Sequence, residues 1–386
     1  MKRMWRILLS TSLAAGLVMA GCSGGSGQGE APEEYVIGAV VSKTGAASPL
    51  GEPEYNTLKL LEKQVNEQGK IKVRLVLVDD ESDPQKAQEE TNRLIHDENV
   101  LALIGSTTTG ASLAMKGLAM ENEVPLISLA ASVKVVQPVE ESTWVFKTPH
   151  SDEHAAERVL DWAKKNNWTK LAIIHDSNAF GTSGKEELSK LAGKYGVSIV
   201  ASESYNTKDQ DMTVQLTKIK NSGAQAMIVW GTNPGPAIIA KNRKALGMTM
   251  PYIGSHGIAN EAFIQLAGDA AEGVVIPTGK LLFPSEIPDS DPQSKVLKEF
   301  YDQYVSVHQS EPTNFASYAY DAFHLIMDAI EQGNTTREGI RNFLENTQNW
   351  AGTTGVFNFS AKDHNGLTSE TMVMAEVKGG KWVLKK

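Results

Sequence analysis

LALIGSTTTGAS, residues 101–112, is a short apolar run that stops at a glycine and continues into three threonines, a second glycine and small residues. A run of this length reads as a buried strand, and the hydroxyl residues beyond Gly105 read as the start of a helix from about Thr109 to Met120. Strands that feed helices in this way build parallel sheets with helices on their faces. The stretch also fits G-x-x-x-x-G-x-[ST], one lysine short of the phosphate loop of nucleotide hydrolases, with Ala111 where the lysine belongs. Two chemistries compete for it. One is a nucleotide loop that has lost its cation, the other a helix N-terminus whose unpaired N–H groups and dipole draw a different anion.

The N-terminus bears on that choice. Lys2, Arg3 and Arg6 precede an uncharged run, ILLSTSLAAGLVMAG, that leads into Cys22. A basic start and a short apolar stretch read as a secretory signal over residues 1–21, and such a segment is excluded from the fold. Met19-Ala20-Gly21-Cys22 resembles the bacterial lipobox, in which the cysteine becomes the lipidated first residue of the mature chain. Cys22 is the single cysteine of the 386 residues, so no disulfide forms within the chain, and modification of that thiol is the simplest use for it. The Gly/Ser-rich residues that follow suit a tether over 22–34. Export removes the supply of ATP, and the absent lysine then stops being a defect.

Length and composition fit two globular domains of ordinary size, with 41% hydrophobic and 22% charged residues. Without the three signal-segment cations the formal charge falls from −9 to −12, the opposite of a nucleic-acid footprint. From Tyr35 onward, strand-like and helix-like segments alternate. YVIGAVV, VRLVLVDD, LALIG and VPLISLA read as strands. YNTLKLLEKQVNEQGK carries a helical stripe closed by Gly69, and Asp83-Pro84 reads as a helix cap followed by a first-turn proline. The alternation restarts after Pro149 with LAIIHD, VSIVASESY, AMIVWG and PYIGS. Residues from about Pro292 to Glu345 read as mostly helical, and TMVMAEV and KWVLKK close the chain as short strands. The expectation is two α/β units, with a long return segment that completes the first.

From Tyr35 to the C-terminus the sequence resembles the type I periplasmic binding proteins of ABC importers, in the branched-chain amino acid receptor family. The resemblance rests on IGAVVSKTGAASPLGE, VLVDDESDPQKA, LIGSTTTGAS with PLISLAAS, LAIIHDSNAFG and SYAYDA, in that order. It implies two lobes, each a mostly parallel sheet flanked by helices, joined by three crossover segments and closing on a small ligand that passes to a permease and its ATPase subunits. The lobes would comprise residues 35–149 with 280–352, and 150–279 with 353–386. Some members carry a disulfide between the positions held here by Ser82 and Thr108; the absence of cysteine at both agrees with the single cysteine of the chain. No enzymatic activity and no cofactor are implied, and the location would be extracytoplasmic, held to the membrane by lipid.

Carried over residue by residue, the resemblance makes Thr109 the holder of a ligand carboxylate, with Gly110 letting the ligand approach the backbone. Ser132 is expected as a second hydroxyl contact, with the backbone around Ala130. Phe180 stands where the family carries an aromatic over the ligand, and Leu50, Thr232 and Asn233 are further pocket candidates. Taken alone, Thr107–Thr109 could simply cap a helix and Phe180 could be core. The departure is His256 in GSHGIAN, where amino acid receptors place an acid that pairs with the ligand ammonium. A neutral imidazole is a poor counter-ion and a protonated one repels, so the expected ligand is a carboxylate without a free α-ammonium, aromatic or aliphatic. Asp176, at another strand end, is an alternative source of the missing charge. A branched-chain amino acid receptor proper, or a sensor of the same fold, remains the competing function.

His150-Ser-Asp-Glu153-His154 matches H-x-x-E-H, a zinc-protease pattern that needs both histidines on one established helix. Pro149 precedes the first histidine, and Ser151-Asp152 reads as a helix start, so His150 should fall outside the helix and no metal site is expected. DDESD reads as solvated or capping carboxylates.

Overall fold

A computed structural model describes residues 34–385; Cys22, the signal segment and the tether lie outside the described residues. The first lobe is built from β1 (Glu34–Val41), α1 (Ser48–Gln68), β2 (Lys72–Asp79), α2 (Pro84–His96), β3 (Ala102–Gly105), α3 (Thr109–Glu121), β4 (Leu126–Ser128) and β5 (Val145–Lys147). Its sheet is wholly parallel, in the order β2-β1-β3-β4-β5. Alternation along β1 explains why the strand reads as one apolar run. Ile37, Ala39 and Val41 enter the core under α1, whereas Val40 packs on the other face with Leu94 and Leu103.

The second lobe contains α4 (Asp152–Lys165), β6 (Lys170–Asp176), α5 (Ala179–Leu191), β7 (Ser198–Tyr205), α6 (Thr213–Lys220), β8 (Ala226–Trp230), α7 (Gly235–Ala245), β9 (Tyr252–Gly254), α8 (Glu261–Ala267) and β10 (Val275–Thr278). The chain then returns to the first lobe through α9 (Ser294–His308), α10 (Asn314–Glu331), α11 (Arg337–Glu345) and the small hairpin β11 (Trp350–Ala351) and β12 (Val356–Phe357). It finishes with β13 (Val373–Lys378) and β14 (Lys381–Lys385), antiparallel at the edge of the second sheet, whose order is β14-β13-β10-β9-β8-β6-β7.

α10 is the element that makes the return necessary. Phe315, Ala319, Ala322, Phe323 and Ile326 fill the same core as Ile37, Leu58 and Ile104, so the first sheet would have one bare face without residues that arrive some two hundred positions later. Phe357, Phe359 and Leu367 join that core too. The expected start of the second lobe's last segment at residue 353 therefore moves: residues 353–367 pack on the first lobe, and the chain crosses only just before β13. The third crossover is pinned to the first. Lys147 Nζ donates to Ala131 O (2.9 Å), Pro149 O (3.0 Å) and Ser151 Oγ (3.0 Å), while Ser151 Oγ donates to Asn365 Oδ1 (2.9 Å) and Asn365 Nδ2 to Pro149 O (2.9 Å). Burial pulls the Lys147 ammonium down to about 7.

Among the elements that differ from the sequence reading, three do so for identifiable reasons. α1 begins at Ser48 rather than near Tyr55, because its first turn carries small residues and a proline instead of an apolar stripe. β5 and β10 were not anticipated, being three and four residues long and flanked by polar loops. Among the described residues no helix is long and apolar enough to cross a membrane.

Candidate functional site

Each sheet has one point where consecutive connections run to opposite faces, between β1 and β3 in the first and between β6 and β8 in the second. Loops diverge there and leave a crevice at the carboxyl ends of the strands, the usual ligand position in open α/β sheets. Here the two crevices face each other and enclose a cavity of about 460 Å³. The first lobe lines it with Leu50, Thr107–Gly110 and Leu129, and the second with Asn178–Phe180, Thr207, Thr232, Asn233 and His256. Phe315 and Tyr318 on α10 complete the wall.

The sequence-derived candidates divide cleanly. Thr109, Gly110, Leu50, Phe180, Thr232, Asn233 and His256 are brought together around this one space. Leu50 lies on the first turn of α1 and not in a loop. Ala130 and Ser132 are corrections: both are buried behind the wall, and Leu129 and Ala131 face the cavity in their place. Ser132 Oγ instead meets Ser183 Oγ at 2.6 Å across the lobes and accepts from Lys134 N–H. Asp176 is also behind the wall. Its Oδ1 accepts from Thr207 Oγ (2.8 Å) and Asn178 N–H (3.0 Å), so it braces the β6–α5 turn rather than offering a charge to the cavity. Burial raises its carboxyl above the ordinary range, against those two hydrogen bonds. The sequence reading assigned no role to Thr107, Thr207, Phe315 or Tyr318. For the last, SYAYDA was recognisable as a motif, but nothing local says which helix face meets the cavity.

Hydroxyls on the β3–α3 turn are not equivalent. Thr107 Oγ accepts from Ser42 N–H (2.9 Å) and donates to Glu54, while Thr108 Oγ accepts from Ala111 N–H as the cap of α3. Both are committed. Glu54 is fully buried, and burial pushes its carboxyl well above the usual range despite the Thr107 hydrogen bond, with the Asp80 charge adding to the rise. Among the described residues the N–H groups of Thr109 and Gly110 and the Thr109 hydroxyl have no partner. The opposite lobe repeats the arrangement. Asn178 Oδ1 caps α5 by accepting from Gly181 N–H, which leaves the N–H groups of Ala179 and Phe180 free at the cavity. Two helix N-termini, each worth roughly half a positive charge, thus converge on the space.

Among the described residues, no side chain lining the cavity carries a formal charge at neutral pH. Among the described residues His256 Nδ1 and Nε2 have no hydrogen-bond partner, and burial, with the nearby Lys147 and His154 charges, pulls the imidazole down to about 3. It is neutral at physiological pH. Its ring lies edge-on to Phe180 and Trp230, with centroids 5.5 and 5.9 Å away. Gly257 permits that packing, since a Cβ there would stand 2.9 Å from Phe180 Cε1. The cost of the buried imidazole is testable. Unfolded, it takes up a proton below about 6.5; folded, it takes one up only near 3, so this contribution is present at neutral pH and lost on acidification. From pH 7 to pH 5, urea titrations should show the wild type losing about 2 kcal/mol more stability than His256→Phe.

The two histidines of the H-x-x-E-H stretch are occupied with structure. His150 lies before α4 and its Nε2 meets Thr371 Oγ at 2.7 Å, while His154 Nδ1 accepts the N–H of Ser151 in the helix cap.

Two facing α/β lobes linked by three crossovers, with a cleft lined from the C-terminal ends of both sheets, define a ligand-capturing receptor. Residues 34–381 match the periplasmic binding protein family, and the chain belongs to it as a solute-binding receptor. Among curated relatives, the Leu/Ile/Val-binding protein homolog 1 of Brucella abortus is 24% identical over 311 residues, covering 78% of this chain and 80% of that one. A leucine-, isoleucine-, valine-, threonine- and alanine-binding protein of Pseudomonas aeruginosa is 22% identical over 300 residues, 75% and 76% of the two chains. Among solved structures, an extracellular ligand-binding receptor of Rhodopseudomonas palustris HaA2 is 29% identical with a TM-score of 0.85, over 92% of this chain and all of that one. The branched-chain amino acid transporter substrate-binding protein LivJ of Streptococcus pneumoniae, solved with isoleucine, is 25% identical with a TM-score of 0.80 over the same shares.

Proposed function

We propose that the protein is a lipid-anchored solute receptor of an ABC importer that captures a carboxylic acid lacking a free α-ammonium, aromatic or aliphatic, and delivers it to the permease. The observation that carries the ligand class is the uncharged wall: two helix N-termini favour an anion, and no carboxylate lines the cavity to pair with an ammonium. Desolvating an ion without a partner costs several kcal/mol, which leucine would suffer at its ammonium. Burying roughly 150 Å² of apolar ligand surface returns about 4 kcal/mol, available equally to an acid with no ammonium to desolvate. Lobe closure then follows by population shift, because a ligand touching both lobes binds the closed form better. Anchoring rests on the lipobox-like residues ending at Cys22.

Calorimetric titration with leucine and with benzoate-type acids decides the ligand class; tight leucine binding with no acid binding would favour the branched-chain amino acid receptor to which several relatives' names point. Thr109→Ala removes the one uncommitted hydroxyl of the α3 turn. It should weaken acid binding about tenfold, the equivalent of one charge-assisted hydrogen bond, with the melting temperature of the unliganded protein within 2 °C of wild type as a rough bound. Unchanged affinity would remove the carboxylate from this turn.

A further inference from the structure

Residues Ala131–Lys134 follow β4 and belong to the first lobe by chain order, yet each is bonded to the second. Ala131 O accepts from Asp152 N–H (3.1 Å), and Val133 N–H donates to Asp152 Oδ1 (3.0 Å). Between them Ser132 Oγ meets Ser183 Oγ at 2.6 Å, and beyond them Lys134 Nζ lies 2.6 Å from Glu186 Oε2. Asp152 opens α4, whereas Ser183 and Glu186 stand three residues apart on one face of α5. Packing divides at the same place. Ala130, Val135 and Val136 fill the first-lobe core with Leu103 and Leu126, but Ala131 packs against the second-lobe core that contains Val159 and Leu188. The same segment turns Ala131, with Leu129 just before it, to the cavity.

These bonds divide into a pivot and a set that must part when the lobes separate. Asp152 comes directly after the first crossover, so its two backbone bonds lie where a hinge rotation moves atoms least. Ser183 and Glu186 belong to the next helix, which no crossover adjoins, and their bonds to Ser132 and Lys134 break as α5 swings away. Ser132 and Ser183 are buried, and Lys134 and Glu186 are each about half exposed. A neutral hydroxyl pair and a half-exposed ion pair each shift the balance between joined and parted lobes by roughly two- to tenfold. That is enough to bias a reversible equilibrium without freezing it. Neither bond needs solute.

We propose that Ser132–Ser183 and Lys134–Glu186 form a latch between the lobes, swung on Asp152, that raises the fraction of unliganded receptor in which both walls of the cavity are already assembled. Small-angle scattering of the unliganded protein tests it, and the ligand class does not enter. Ser132→Cys/Ser183→Cys should oxidise readily and give the radius of gyration of the joined lobes. Glu186→Lys, which sets two cations face to face, and Ser183→Leu, which puts a branched side chain into the seam, should each exceed wild type by about 3% or more, roughly 0.6 Å on the ~20 Å expected for a chain of this size. Lys134→Glu/Glu186→Lys restores the pair with its charges exchanged and should return to the wild-type value. Melting curves show that each variant is folded, and if Ser183→Leu is not, the half-exposed pair at 134 and 186 carries the test. Glu186→Lys at the wild-type radius, a double reversal that stays expanded, or a cysteine pair that does not oxidise would each overturn the latch.

Discussion

Leucine should bind His256→Asp at least tenfold more tightly than it binds the wild-type protein, and acids without an ammonium should bind that variant at least a hundredfold more weakly. The wild-type cavity contains no acidic side chain, so an aspartate at 256 changes its charge rather than its shape. Two unit charges roughly 6 Å apart repel by about 3 kcal/mol at an effective dielectric of 20, which is about a hundredfold in affinity. The same aspartate relieves the desolvation of a leucine ammonium, and the ammonium in turn offsets the cost of burying the carboxylate. Calorimetry of both proteins with leucine and with 3-phenylpropionate provides the check. If the variant keeps the wild-type preference, the uncharged wall is not what selects the ligand.

Gly181→Ala should cost the protein at least about 3 kcal/mol and lower its melting temperature by roughly 5 °C or more, with ligand binding impaired even at temperatures where it remains folded. A Cβ at this position would lie 2.0 Å from the carbonyl oxygen of Asp176 and 2.8 Å from its nitrogen, both backbone atoms that cannot turn aside. Relief requires the start of α5 to move away from the end of β6, and Phe180 and the free N–H groups of Ala179 and Phe180 move with it. Gly117, inside α3, is the matched control. A Cβ there meets nothing within 4 Å, so Gly117→Ala should be neutral or stabilising by up to about 1 kcal/mol. Equal melting temperatures for the two variants would show that the close approach at Gly181 is tolerated.

Much of the cavity was legible because its residues sit directly after strands. Thr109, Phe180, Thr232 and Asn233 each follow an apolar run and precede a helical pattern, and that position alone puts a residue at the carboxyl edge of a sheet. Ser132 satisfied the same rule and still fell outside. Residues after β4 alternate between wall and interior, and the alternation that turns Leu129 and Ala131 to the cavity turns Ala130 and Ser132 away. Asp176 looked available because a carboxylate at a strand end often meets ligand. Thr207, distant in sequence, takes up its Oδ1, and no local pattern announces that bond.

The sequence by itself determined the order of strands and helices and the absence of an internal disulfide. It also put a histidine at position 256, where the resemblance implies an acid; the order of elements and the cysteine count are properties of residue type and spacing. The tertiary structure alone decided which hydroxyls of the β3–α3 turn are free, since Thr107 is engaged by Ser42 and Glu54 from elsewhere in the chain. It decided that α10 brings Phe315 and Tyr318 to the cavity, and that residues 353–367 stay with the first lobe. It decided as well that His256 is neutral and, among the described residues, without partners. A side chain's charge and its unmet hydrogen bonds depend on what surrounds it in space, and those neighbours come from strands and helices that the chain reaches only after crossing between the lobes.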